Sequence, residues 1–128
     1  MANGKLLADQ IQHSSVGTVN TQFVVKGTCK SWLNATINSN THTIQGSFNV
    51  SSLTDDGAGR TDTVFTSNMN DVRYAIASNC SLNGSNLFSH LGNNSLQATN
   101  HYRVNTSNDG GTIVDYDNLN NQVQGDLA

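Results

Sequence analysis

The fold of this protein is decided by the stretch Ser47-Phe48-Asn49-Val50-Ser51-Ser52-Leu53-Thr54-Asp55-Asp56-Gly57-Ala58-Gly59-Arg60. Its Asp56-Gly57 dipeptide tolerates the positive φ angles that close tight hairpins. Together with the segments that follow it, 63–71 and 74–76, the stretch predicts two strands, a tight acidic turn and a third strand.

The amino-acid composition favours strands over helices. The 128 residues include 19 Asn, 14 Ser and 13 Thr, with nine Asp and no Glu. Asn, Ser and Asp compete with helical hydrogen bonding, whereas Thr suits a pleated sheet. We therefore expect an all-β chain, built as an antiparallel β-sandwich of a jelly-roll-like type.

The hydrophobic content is low for a chain that folds alone. Apolar residues make up 35% of the sequence, below the roughly 45 to 50% that is usual in soluble domains. The length suits one domain with one core. Because that core would be thin, we expect additional burial in an oligomer.

Two segments show the strict alternation that is typical of half-buried strands. In residues 72–82, one face carries Val72, Tyr74, Ile76, Ser78, Cys80 and Leu82. In residues 96–105, one face carries Leu96, Ala98, Asn100, Tyr102 and Val104. Weaker patterns predict strands over 28–37, 43–52, 61–67 and 123–127.

The alternation stops between Ser85 and Asn93. A turn or two of helix, capped by Ser85 or Asn86, is one interpretation of this stretch. A long loop is the other. Asn83-Gly84 and Asp109-Gly110 supply further hairpin turns, so that the spacing of turns is that of a sandwich.

Large aromatic residues on strands are usually buried. We therefore assign five aromatic residues to the core: Phe23, Trp32, Phe48, Phe65 and Tyr74. Polar, flat side chains in Asn-rich loops suit glycans and polar protein surfaces, and we include Tyr102 in such a recognition surface. The candidate receptor-binding residues are Asn86, Phe88, His90, Asn108 and Tyr116.

Residues 1–26 differ from the remainder of the chain. They contain a flexible stretch at 13–17 and an apolar run that begins at Phe23. We expect an extended N-terminal arm here, followed by a β-sandwich domain over 27–128. Such an arm packs on the flank of its own domain or inserts into a neighbouring subunit. The candidate docking residues are Leu6, Leu7 and Ile11.

Motif spacing indicates no enzyme, metal site or cofactor site. The four histidines lack the spacing of metal-binding pairs, and we interpret them as surface residues. The acidic segments 55–59 and 115–118 do not follow the EF-hand spacing, so a hairpin turn and a solvated loop are favoured over calcium sites. Paired acidic groups for glycoside hydrolysis are also not indicated, because Glu is absent.

The charge pattern and the hydropathy limit the partners and the compartment. The six Lys and Arg residues do not cluster, which argues against nucleic acid as a partner. No signal peptide or membrane span is predicted, because Leu6-Leu7 is the only apolar pair near the start. We expect synthesis in a cytoplasm, where Cys29 and Cys80 would stay reduced, with a disulfide between them as the alternative.

Several segments resemble the C-terminal module of tail-fibre proteins from marine tailed bacteriophages. They are Lys30-Ser31-Trp32-Leu33-Asn34, the stretch from Ser47 to Asp55, Phe65-Thr66-Ser67-Asn68-Met69, Tyr74, and the ending Val123-Gln124-Gly125-Asp126-Leu127-Ala128. The opening Lys5-Leu6-Leu7-Ala8-Asp9-Gln10-Ile11-Gln12 is similar to the stretch that precedes this module. The resemblance implies a virion component that forms a homotrimer and is made without export in the infected bacterium.

The resulting hypothesis is a non-enzymatic tail fibre or appendage protein that contributes to host attachment. Its expected partners are identical subunits, other virion proteins, and a host surface glycan or receptor. A capsid-decoration or head-fibre protein is the first alternative. A free carbohydrate-binding module is the second, and a small hydrolase ranks last.

Overall fold

A computed structural model describes residues 8–38, 41–82, 87–91 and 97–128. Within these residues the chain forms ten strands and one short helix. In chain order they are β1 (Gln10–His13), β2 (Gly17–Asn20), α1 (Thr21–Gly27), β3 (Cys29–Asn38), β4 (Thr41–Phe48), β5 (Val50–Asp55), β6 (Arg60–Phe65), β7 (Ala75–Ser81), β8 (Leu87–His90), β9 (His101–Asn108) and β10 (Asn118–Gln124). The all-β class expected from composition is confirmed.

Eight of the strands form two four-stranded antiparallel sheets. The strand order is β4-β3-β10-β7 in the first sheet and β5-β6-β9-β8 in the second. Strands β1 and β2 form a separate hairpin. Three pairs of consecutive strands are neighbours within a sheet, namely β3 with β4, β5 with β6 and β8 with β9.

One hydrophobic cluster draws side chains from both sheets. The first sheet supplies Ile37, Leu119 and Val123, and the second supplies Phe65, Tyr102 and Val104. Met69, Tyr74 and Tyr116 complete the cluster from the connecting segments. Leu33 and Ala35 are also buried, and the other buried positions hold seven polar residues: Ser31, Thr61, Thr63, Asn105, Thr106, Ser107 and Asn121.

The chain crosses from the first sheet to the second at Asn49. This residue has φ 57°, a left-handed conformation that Asn tolerates better than most residues. Its Nδ2 donates to the carbonyl oxygens of Lys30 and Ser67 at 3.1 and 3.0 Å, and its Oδ1 accepts from the Ser67 amide at 2.6 Å. The single strand predicted over 43–52 is therefore wrong, because Asn49 divides it into β4 and β5.

Other sequence expectations need correction at their boundaries. The helix considered between Ser85 and Asn93 is wrong over the part that the structure describes, because Leu87–His90 is the edge strand β8, paired with β9. The last strand is β10 (Asn118–Gln124), not 123–127. The run from Asn118 to Gln122 consists of weak strand formers, so composition gave little sign of it.

The N-terminal segment is not a single extended arm. Residues 10–20 form the β1–β2 hairpin, with Gly17 at φ 115° in its turn, and α1 follows directly. The Thr21 hydroxyl donates to the carbonyl oxygen of Ala8 at 2.7 Å, which ties the helix start to the hairpin. Two of the three candidate docking residues, Leu6 and Leu7, lie outside the described residues.

The acidic turn between β5 and β6 brings Gly59 against the neighbouring backbone. Gly59 has φ +65°, and a Cβ atom there would lie 2.5 Å from the Val114 carbonyl oxygen and 2.7 Å from that of Thr106. Its amide donates to Asp115 Oδ1 at 2.6 Å, and its carbonyl accepts from the Thr106 amide at 2.8 Å. Only glycine fits this close approach.

Replacing Gly59 with Ala tests that close approach. We expect Gly59→Ala to lower the free energy of unfolding by about 3 kcal/mol or more, because a positive φ and backbone clashes add up. Gly57→Ala, at φ +105° with open space around it, should cost only about 1 to 2 kcal/mol. Urea unfolding followed by circular dichroism measures both, with Gly27→Ala as a control in open space without a positive φ. Equal losses at positions 57 and 59 would contradict the steric argument.

Replacing Asn49 tests the sheet crossing. Asn49→Gly removes the strain of the positive φ angle but also removes all three side-chain hydrogen bonds. We therefore expect the free energy of unfolding to fall by roughly 2 to 3 kcal/mol. Asn49→Ala should lose about 1 kcal/mol more, because it adds the strain of the left-handed conformation. If Asn49→Ala were as stable as Asn49→Gly in thermal or urea unfolding, the positive φ would not be a constraint.

Candidate binding face

The outward side of the first sheet forms a flat surface, which we call the outer face. Cross-strand register aligns it in three rows that run from β4 through β3 and β10 to β7. The rows are Phe48, Trp32, Gln122 and Ala77; Gly46, Asn34, Asn120 and Asn79; and Thr43, Thr36, Asn118 and Ser81. Three inter-strand spacings make each row roughly 14 Å long.

All residues of these three rows are uncharged. Asn34 Nδ2 donates to Asn120 Oδ1 at 2.9 Å, which bonds two of the three amides of the central row to each other. The basic residue at the margin, Lys30, turns its Nζ to the Val25 carbonyl oxygen and to the Thr28 hydroxyl. The outer face is therefore polar, rich in donors and acceptors, and electrically neutral.

Trp32 and Phe48 lie side by side at one corner of the outer face. They are 41% and 53% exposed. A Cβ atom at Gly46 would lie 3.4 Å from two carbon atoms of the Trp32 ring. The missing side chain at Gly46 thus lets the indole lie over strand β4, where it offers an aromatic platform to a ligand.

A shallow groove lies on the other side of β3 from this platform, between β10 and β7. It has a volume of about 150 Å³ and is lined by Ala75, Ile76, Ala77, Gln122 and Gln124. Register pairs the two alanines with the two glutamines across β7 and β10. The groove exists because the short alanine side chains stand beside the long amides.

The acidic turn, in contrast, uses its carboxylates internally. Arg103 donates from Nε and Nη2 to the two Asp62 oxygens at 2.5 and 2.8 Å, and its Nη1 lies 2.6 Å from Asp56 Oδ2. These contacts with Asp62, and to a smaller degree with Asp56, raise the pKa of Arg103. The hairpin turn favoured over a calcium loop at 55–59 is thus observed, with its Asp56 carboxylate held by an arginine.

A chain of polar contacts behind the turn has the order of an acid, a histidine and a hydroxyl. Asp55 Oδ1 lies 3.5 Å from His42 Nε2, and His42 Nδ1 lies 3.3 Å from Thr61 Oγ1. A nucleophile must reach its substrate, but Thr61 is 0% exposed and bonds the Tyr116 hydroxyl at 2.9 Å. The arrangement therefore joins the two sheets and does not form a reaction centre. The surface interpretation of His42 is wrong.

Of the predicted receptor-binding residues that the structure describes, three lie on the neighbouring strands β8 and β9, and one lies in the core. Phe88 and His90 are exposed on the edge strand β8, whereas Asn108 is half-buried and its Oδ1 accepts from the Thr112 amide. Asn86 lies outside the described residues. Tyr116 is 1% exposed and belongs to the core, so the prediction that it lies on the surface is wrong. The same prediction for Tyr102 is also wrong, because Tyr102 is 0% exposed.

Three of the five aromatic residues predicted to lie in the core are exposed, and two predicted to lie on the surface are buried. Phe65 and Tyr74 are buried as predicted, but Phe23 is 61% exposed, and Trp32 and Phe48 lie on the outer face. The sequence of β3 indicates that Trp32 faces outward, because the apolar residues Leu33, Ala35 and Ile37 lie on the opposite face of the strand. All three are buried. The burial of a strand residue is decided by the face of the sheet on which the alternation places it, and not by the size of its side chain.

Within the described ranges, no cluster of three or more His, Cys or Asp side chains is placed to hold a metal ion. The same part of the chain contains no helix whose length and hydropathy would let it span a bilayer. Cys29 and Cys80 are free thiols, and burial raises the pKa of Cys80.

Comparison with known proteins gives no relative: no family model, no curated protein and no solved structure matches this chain.

The three tyrosines of the chain provide a test of their burial. Desolvation raises the pKa of Tyr102 and Tyr116 to about 12 and that of Tyr74 further, from an ordinary value of 10.0. A raised folded-state pKa stabilises the fold fully below pH 10 and ceases to do so as pH rises through the folded value. We expect no tyrosinate absorbance near pH 10, followed by a cooperative rise that coincides with unfolding. Ionisation of a single tyrosine near pH 10 in folded protein would contradict the burial of that residue, and Tyr116→Phe identifies its share of the signal.

Proposed function

We propose that this protein is a structural subunit of a bacteriophage virion, a tail fibre or appendage component that assembles as a homotrimer and contributes to host attachment. The resemblance of its segments to marine phage tail-fibre modules supports the proposal. So does the small apolar cluster, which leaves buried polar groups between the sheets. In this proposal the two sheets form a β-sandwich in each subunit, made in the host cytoplasm.

The observation that carries the proposal is the exposed apolar surface of the segment from β1 to α1, which we call the N-terminal unit. Ile11, Val16, Val19, Phe23 and Val25 are all exposed, Val16 to 83%. None of the residues of α1 is buried. A lone two-stranded hairpin is at best marginally stable in water, so the unit gains stability when a partner covers these side chains.

A neighbouring subunit is the partner that fits this surface. The N-terminal unit is attached at its root, where Gln124 Nε2 donates to the Gly27 carbonyl oxygen at 3.4 Å and Lys30 Nζ contacts the Val25 carbonyl oxygen. Its apolar side remains open beyond that root. An appendage that inserts into an identical copy locks a closed assembly without a further protein.

The sandwich in this proposal is the jelly-roll-like type expected from the sequence. Four of the seven connections between consecutive strands from β3 to β10 cross from one sheet to the other, which supports it, and β3–β4, β5–β6 and β8–β9 are hairpins within one sheet. The four edge strands of the two sheets, β4, β7, β5 and β8, carry no Lys, the residue that most often protects sheet edges from pairing. Assembly would protect those edges in place of charge.

Light scattering after size-exclusion chromatography tests the assembly. We expect the wild-type chain at micromolar concentration to have three times the mass of one chain. The triple variant Ile11→Ser, Val16→Ser, Phe23→Ser should run as a monomer with unchanged strand content, because all three side chains are exposed in their own subunit and lie outside the core cluster. Val72→Ser, at a 49% exposed position outside the N-terminal unit, is the matched control and should remain trimeric. A wild-type monomer would overturn the proposal.

A further inference from the structure

We infer that the outer face is a binding site for a neutral glycan, centred on Trp32 and the groove between β7 and β10. The inference rests on the proposed attachment role and goes beyond it by assigning the site to a sheet face and the ligand to uncharged sugars. The loops that the sequence singled out are not part of this site.

The chemistry of the outer face matches that of a sugar. Each hydroxyl of a sugar both donates and accepts a hydrogen bond, and each Asn or Gln amide offers two donors and one acceptor. Gln122, Asn120 and Asn118 point outward at every second position of β10, and Gln124 continues the series into the groove. A polyol laid along this strand would find a new amide at each step of about 7 Å.

The aromatic corner supplies the apolar part of the recognition. Sugar rings carry a flat face of C–H groups that packs on an aromatic ring, and Trp combines the largest such area with little conformational entropy. Trp32 pairs with Gln122 across β3 and β10, and Gln122 lines the groove. The indole leans over β4 and the groove lies between β10 and β7, so platform and groove are about two inter-strand spacings, roughly 10 Å, apart. A ligand of several sugar units can span them, and the groove is large enough for about one sugar ring.

The electrostatics select neutral ligands over acidic ones. The three rows of the outer face contain no cation to pair with a carboxylate or a phosphate, and the marginal Lys30 is engaged with Val25 and Thr28. An anionic sugar would lose hydration without gaining an ion pair, which is unfavourable. A second copy of the chain is less well matched, since the outer face is mostly exposed amide and exposes apolar rings only at one corner.

Trp32 is the only tryptophan, so its fluorescence reports directly on the site. The full chain is titrated with neutral malto-, manno- and galacto-oligosaccharides, and with oligogalacturonate as the anionic counterpart. We expect a saturable change in Trp32 emission with at least one neutral series, with a dissociation constant of roughly 0.1 to 1 mM for one site. Oligogalacturonate should bind at least about tenfold more weakly.

Variants locate the site on the sheet face. Ala77→Leu fills the groove at an exposed position and keeps the Trp32 reporter, so it should weaken binding at least about tenfold, as should Gln122→Ala. Ala77→Ser preserves the volume and should bind as the wild type does. Phe88→Ala, on the exposed edge strand β8, should also leave binding unchanged. Calorimetry replaces fluorescence for Trp32→Ala, which should not bind.

Several outcomes would overturn the inference. They are no saturable response to any neutral series, a stronger response to oligogalacturonate, loss of binding in Phe88→Ala, or full binding in Ala77→Leu. A shift of Trp32 emission with protein concentration alone would show that a second copy covers the outer face, which also overturns it. Light scattering on the same samples distinguishes failure of the glycan-site inference from failure of the trimer proposal. A monomer that binds sugar would overturn the trimer proposal and would still support the glycan site.

Discussion

The hydrogen bonds of the Asn49 side chain hold the point where the two sheets meet. They join the start of β3 through Lys30 and the segment after β6 through Ser67. In an unbroken strand over 43–52, Ile44, Phe48 and Val50 would share one face. The left-handed residue and the register shift beside Ala35 break that phase. Phe48 consequently lies beside Trp32 on the outer face, and Val50 and Leu53 are the half-buried residues of β5 in the second sheet.

Alternation was the reliable signal in this sequence, and residue size was the misleading one. The inward positions of β7 and β9 follow from period two, including Ile76 and Val104. Tyr102 lies on the same face as Val104, so the same alternation predicts that Tyr102 is buried. The burial of Tyr116 had no such signal, because it lies between strands and is fixed by its contacts with Thr61 and His42. The outer face could not be read from sequence, since it depends on which strands become neighbours.

The interior explains why the chain is low in apolar residues yet forms two sheets. Hydroxyl and amide side chains occupy inward positions that Val or Ile would fill in a typical core, and some are bonded, as in the contact of Ser78 Oγ with Asn121 Oδ1 at 2.6 Å. Two buried polar atoms, Ser31 Oγ and Asn105 Oδ1, have no hydrogen-bond partner among the described residues, whereas the Tyr102 hydroxyl interacts with the side chains of Thr63 and Asn121. Each unbonded atom costs about 1 to 3 kcal/mol. Such an interior supports the proposal that a neighbouring subunit adds burial through the N-terminal unit.

The proposed assembly surface and the proposed binding face meet only at the root of the N-terminal unit, where Gln124 and Lys30 bond its backbone. The apolar side chains of the N-terminal unit and the exposed amides of the outer face are different groups, so a neighbouring subunit and a glycan can be bound together. A neutral sugar held by one aromatic ring and a few exposed amides binds weakly, because no charged contact adds to the affinity. Three copies on one particle convert weak contacts into firm attachment when the glycan is repetitive, through effective concentration. The proposed trimer is thus the arrangement in which a weak, charge-free face would suffice for host attachment.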